Sequence, residues 1–157
     1  MSNLNNFSKW KKWSNKRTLK NLKFPGIYVI AKSNKNIENK LFGFIREIIY
    51  IGMTNSKDGL QNRLKQFEDT LDKKRENHGG AQRVRFKYPN SSKLKKDIYV
   101  SVNTFTCDPA SNKAKDLLIM GKVAECEYIC FAEYVKRFNK LPEFNDQKRS
   151  PKNNRKV

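Results

Sequence analysis

Four side chains in this sequence are of the types that phosphodiester hydrolysis uses: the phenols of Tyr28 and Tyr50, the guanidinium of Arg63 and the carboxylate of Glu127. That reaction needs an activated water, stabilisation of charge on a pentavalent phosphate, and help for the departing 3′ oxygen. A divalent cation held by a carboxylate serves the charge and the leaving group. An arginine grips non-bridging oxygens in a forked geometry. A tyrosine takes a proton from water only if its pKa is lowered or the proton passes on. A zinc nuclease would need a cluster of His and Cys. This chain has one histidine, His78, and three cysteines, of which Cys126 and Cys130 read as small core residues.

The elements that would position these groups follow from the apolar pattern. Ile27–Ile30 and a run through Phe44, Ile45 and Ile48–Ile51 are β-branched and aromatic, which suits paired strands. The polar segment 33–40 between them makes a hairpin with a tyrosine on each strand. After the polar loop 53–59, Leu60, Leu64, Phe67 and Leu71 recur at helical spacing, with Ser56 or Asp58 as the expected cap. Arg63 borders that stripe, so its head stays polar beside the hairpin. The helix is expected to run into Lys73–Glu76 and to stop at His78-Gly79-Gly80. Residues 81–97 read as a basic surface loop, with Arg83, Arg85, Lys87, Lys93, Lys95 and Lys96 as DNA-binding candidates.

Alternation over Ile98–Phe105 predicts a third, half-buried strand. Asp108-Pro109 is expected to open a helix that Gly121 ends. A final helix near Val123–Phe138 presents Val123, Glu127, Cys130, Phe131, Tyr134 and Phe138 on one face, with Glu125 and Glu133 outside it. Glu127 is the single carboxylate in an apolar stripe, a costly placement unless it is paired or binds a metal. The expected fold is α+β, with a small central antiparallel sheet of about three strands flanked by helices.

Gly26-Ile27-Tyr28 and Tyr50-Ile51-Gly52, followed by an arginine on a helix and a glutamate on a later helix, resemble the signatures of the GIY-YIG nuclease family. The resemblance spans residues 25–145. It implies Tyr28 as the base for water, Tyr50 lining the site, Arg63 on the scissile phosphate, and Glu127 as sole protein ligand of one Mg²⁺, with Mn²⁺ as a substitute. Asn145, after Leu141-Pro142, matches an asparagine that orders the site. There are departures. Phe67 stands where many members carry a histidine, so His78 either substitutes from beyond the helix or caps it. The distance in sequence from Glu127 to Asn145 is long, which leaves Glu125 a rival metal ligand. Lys57, between the second triplet and Arg63, is a further candidate for lowering a tyrosine's pKa.

Charge points the same way. Lys plus Arg number 34 against 15 Asp plus Glu, a net charge of +19, which favours a polyanionic partner. The expected divisions are a basic arm over 1–24, the nuclease-like domain over 25–146, and a basic, disordered tail over 147–157. Trp10 and Trp13 are expected to dock the arm. With no apolar leader and no apolar run of membrane-spanning length, the expected location is the cytoplasm. The expected activity is a Mg²⁺-dependent DNA endonuclease of restriction or phage type. Cutting both strands would take a homodimer or two successive nicks. Two alternatives stay open: a non-catalytic nucleic-acid-binding module on the same fold, and a nuclease selective for branches or flaps.

Overall fold

Strand-forming runs and helical stripes assemble into an α+β fold around one antiparallel sheet. The computed structural model describes residues 3–152. The strands are β1 (Lys11–Lys12), β2 (Gly26–Lys32), β3 (Ile48–Thr54) and β4 (Ile98–Thr104), in the order β1-β4-β2-β3. The sheet thus has four strands where three were expected, because two lysines of the N-terminal segment pair with β4. The helices are α1 (Gly59–Leu71), α2 (Gly79–Lys87), α3 (Ser91–Lys95) and α4 (Ala114–Phe138).

Period-two alternation on β2 divides the core into two layers. Tyr28 and Ile30 face Leu60, Leu64, Phe67 and Val84 of α1 and α2. Ile27, Val29 and Ala31 face Val123, Cys126, Cys130 and Tyr134 of α4. Covered on both sides, β4 is buried along its length rather than half-buried. β3 lies at the sheet's edge, and there the chain after α4 closes it. Phe144 N–H donates to the Ile49 carbonyl, and the Asn145 side chain bonds both backbone groups of Ile51 at 2.9 and 2.8 Å.

Several boundaries differ from expectation. Residues 3–24 are not a separate arm: Trp10 and Trp13 are each 1% exposed, in opposite layers of the core. The phenylalanine and isoleucine at 44 and 45 precede β3 instead of opening it. Helix α1 ends at Leu71, and Lys73 follows with φ +61°. His78-Gly79-Gly80 begins a helix rather than ending one, since the imidazole of His78 accepts from the Ala81 N–H and caps α2. Neither Ser56 nor Asp58 makes a side-chain cap on α1. Residues 81–97 hold two helices instead of a loop. The segment at Asp108-Pro109 is not helical, and α4 runs unbroken through Gly121, which faces open space. A glycine there costs only about 1 kcal/mol in helix propensity, which a packed 25-residue helix absorbs. Of the tail, 153–157 lie outside the described residues, while Ser150 is buried against the fold.

Candidate functional site

The register of the hairpin sets the two phenols together. Tyr28 pairs with Gly52, and Tyr50 pairs with Ile30, so Tyr28 and Tyr50 are diagonal neighbours on one face. Their ring centroids are 5.9 Å apart. Two glycines make room for them. A β-carbon built on Gly52 would stand 2.5 Å from the Tyr28 hydroxyl, and one on Gly80 would stand 2.4 Å from the Tyr50 ring. Glycine is required at both positions by this close approach, not by backbone angle.

His78 joins the phenols from the start of α2. Its Nε2 lies 2.6 Å from the Tyr28 hydroxyl, and its Nδ1 accepts from the Ala81 N–H at 3.1 Å. The ring stands edge-on to Phe67, 5.0 Å between centroids. Burial, reinforced by the charge of Arg63, pulls its pKa down from 6.5 to about 3. A neutral imidazole whose Nδ1 accepts must carry its proton on Nε2. His78 therefore donates to the Tyr28 oxygen and leaves the Tyr28 hydroxyl proton free to point onward. The neighbouring Tyr50 raises the pKa of Tyr28, and Tyr28 lowers that of Tyr50, so the two phenols titrate under each other's influence. The cap of α2 thus fixes the direction of the hydrogen bond from the imidazole to the Tyr28 phenol, which lies beside Tyr50.

Tyr28 has no exposed surface, and burial pushes its pKa well above the ordinary phenol value despite Arg63. Tyr50 keeps 9% exposure, the more accessible of the two phenols. Its pKa is also raised by burial, against the lowering effects of Tyr28, Arg63 and Arg83. Arg63 is half-buried, and its Nη1 donates to the Gln66 side chain at 2.7 Å. Its charge acts on Tyr28, Tyr50, His78 and Glu127.

Glu127 comes from α4, which packs on the opposite layer, yet it acts on Tyr50 and Arg63. Burial pushes its carboxyl up, Arg63 pulls it back, and its charge is felt by Tyr50. Glu125 is exposed on α4 and acts on Cys126 instead. Among the described residues, no group of three or more His, Cys, Asp or Glu side chains is placed to hold a metal. A single carboxylate fits Mg²⁺, which keeps several waters and takes one or two protein carboxylates along with substrate phosphate oxygens. Partly desolvated Glu127 fits that role.

The remaining candidates are placed as follows. Asn145 supports the site from behind, by clamping Ile51 between Tyr50 and Gly52. Lys57 sits exposed in the turn before α1 and is not among the charges acting most on either tyrosine. The basic segment 81–97 is corrected in part. Arg83 is buried, and its Nε donates to the Phe144 carbonyl at 2.7 Å, so it belongs to the tyrosine cluster, not to an outer surface. Arg85 grips Glu76 and the Thr70 carbonyl. Lys87 pairs with Glu143, and Lys95 with Glu68 and Asp72. Lys93 and Lys96 remain exposed. Gly80 was not recognisable as a site residue and Arg83 was read only as part of a DNA-facing loop, because a glycine-rich, arginine-rich stretch reads equally well as a loop.

Comparison of the chain with family models, with curated proteins and with solved structures finds no significant match.

Proposed function

We propose that this protein is a Mg²⁺-dependent DNA endonuclease of the GIY-YIG kind, with Tyr28, Tyr50, Arg63, His78 and Glu127 as its working set. One observation carries the reading: side chains from β2, β3, α1, α4 and the cap of α2 act on one another, with a lone carboxylate near enough to an arginine and to Tyr50 for their charges to be felt. Bulk packing does not call for that combination, since each polar group there is desolvated at a cost.

Arg63 is placed to bind non-bridging oxygens of the phosphate. Glu127 would hold the cation, which when bound supplies Lewis-acid stabilisation of the phosphate charge and the leaving oxygen. The two phenols act as one base. The site becomes active when the pair has lost one proton, and the remaining charge is shared between Tyr28 and Tyr50 and held by His78 Nε2–H and Arg63. That pair then takes the proton of the attacking water on the side of Tyr50, which keeps 9% exposure where Tyr28 keeps none. His78 orients and donates; it does not itself accept the proton, because its free nitrogen is committed to Ala81. One chain carries one such cluster, so cutting a duplex takes two copies or two successive nicks.

The test is cleavage of supercoiled plasmid with Mg²⁺, with Glu127→Gln as the control. The variant is expected to lose about 10²–10³-fold in rate while still binding DNA. Undiminished cleavage removes Glu127 from the mechanism. Binding without cleavage by the native chain, under any divalent ion, leaves a non-catalytic binding module. Branched against linear oligonucleotides separate a structure-selective nuclease from a general one.

A further inference from the structure

The chain beyond Asn145 folds back over the site instead of leaving it. Asp146 organises the turn: its side chain accepts from the Lys148 and Arg149 N–H groups at 3.2 and 3.3 Å, and its carbonyl accepts from the Ser150 N–H at 3.0 Å. The Ser150 hydroxyl donates to the Glu143 carbonyl and is buried. Two residues later, the Lys152 ammonium arrives over the start of α2. A β-carbon on Gly79 would stand 2.8 Å from Lys152 Nζ and 3.7 Å from Arg83 Nη1. The absent side chain at Gly79 is therefore the space that the lysine occupies.

Lys152 thereby joins Arg63 and Arg83 around His78, whose pKa all three depress. None of the ion pairs among the described residues involves Arg63, Arg83 or Lys152. Three cations outside ion-pair distance of any described carboxylate, with only Glu127 felt by Arg63, repel one another, and the arrangement is relieved when an anion enters. Arg63 is the cation that acts on both phenols and on Glu127, so on the proposed reading it would take the phosphate being cut. Lys152 acts on His78, which bonds Tyr28, and is not among the charges acting most on either phenol or on Glu127.

We propose that Lys152 is a second phosphate-binding residue of this site, gripping a DNA backbone phosphate that flanks the one being cut. This rests on the reading of the site as one that cleaves a phosphodiester. The ligand is a continuous strand: one phosphate on Arg63, its neighbour on Lys152. The segment read from sequence as a disordered basic tail is in this respect part of the substrate-binding surface.

The experiment uses the full chain with Lys152→Ala and Lys152→Arg, each also in a Glu127→Gln background. Binding of a short DNA duplex is measured against salt in that background. Lys152→Ala is expected to weaken binding several-fold and to reduce the slope of log Kobs against log salt by about 0.9, the loss of one phosphate contact. Lys152→Arg is expected to keep the slope. In the cleaving chain, KM rises with Lys152→Ala while kcat stays within about twofold, since a flanking contact binds ground and transition states alike. Lys152 is exposed, so an unchanged Tm accompanies this result. An unchanged salt slope overturns the proposal, and so does a loss confined to kcat. If the native chain cuts nothing while Lys152→Ala still removes one contact from the slope, the nuclease reading fails and the phosphate contact stands.

Discussion

At the residue scale, His78 is the side chain from which the properties of the site follow. The Ala81 N–H occupies Nδ1, so the proton sits on Nε2 and the imidazole stays neutral down to about pH 3. Two predictions follow for pH. Both phenols have raised pKa values, so the active, singly ionised pair is a minor species at neutral pH. The cleavage rate is expected to climb with pH between about 6 and 9 with a log–log slope near one, and with no inflection from histidine. A plateau reached near pH 6.5 would mean that an imidazole is the base. The second prediction concerns stability. The folded His78 binds its proton far less readily than the unfolded one, so the unfolded state takes up more protons between about pH 6.5 and 3 and stability falls as pH drops through that window. The loss from this residue approaches about 1.4 kcal/mol per pH unit. Thermal melts of the native chain and of His78→Ala between pH 7 and 4 check it: the variant is less stable at pH 7 but declines less steeply.

At the scale of elements, the β3 edge carries the prediction. Asn145 spans both backbone groups of Ile51, between Tyr50 and Gly52. Asn145→Ala leaves those groups to water and is expected to cost about 1–3 kcal/mol in urea unfolding, with a larger loss in kcat than in binding. Gly52→Ala forces the Tyr28 ring off its place and is expected to cost about 1–3 kcal/mol as well. If Gly52→Ala cuts at the native rate, the position of Tyr28 does not matter to the chemistry. The hairpin, α1 and the stripe of α4 were legible in the sequence because apolar period and β-branching reported them directly. α2 was not, because His-Gly-Gly carries the composition of a helix end. Only the tertiary contact of His78 with Tyr28 explains why a histidine begins that helix. Gly121 misled for the converse reason: propensity marks it as a break, but it lies on the open face of a helix whose other face is packed from Val123 onward.

At the scale of the whole molecule, the net charge of +19 is partly spoken for. Arg85, Lys87 and Lys95 are engaged by Glu76, Glu143, Glu68 and Asp72. Counting basic residues along the chain overstated their contribution to a DNA surface, because the sequence does not show which cations meet carboxylates after folding. Arg85→Gln is expected to lower Tm through the lost pair with Glu76 and to leave the salt slope of DNA binding unchanged, whereas Arg63→Gln lowers the slope. Equal slopes in both variants would place DNA elsewhere on the molecule. Among the described residues, no helix is long and apolar enough to cross a membrane.

The two tryptophans lie on opposite sides of the sheet, Trp10 in the layer closed by α4 and Trp13 against Phe67 of α1. Each is sealed from solvent, so its emission reports only its own layer. Replacing either with phenylalanine yields a chain with a single tryptophan which, excited selectively over the six tyrosines, watches one half of the interior. Coincident melting curves from the two chains would mean that the layer holding Glu127 and the layer holding the tyrosines come apart in one step; separated curves would mean that the site is dismantled while half of the protein still stands.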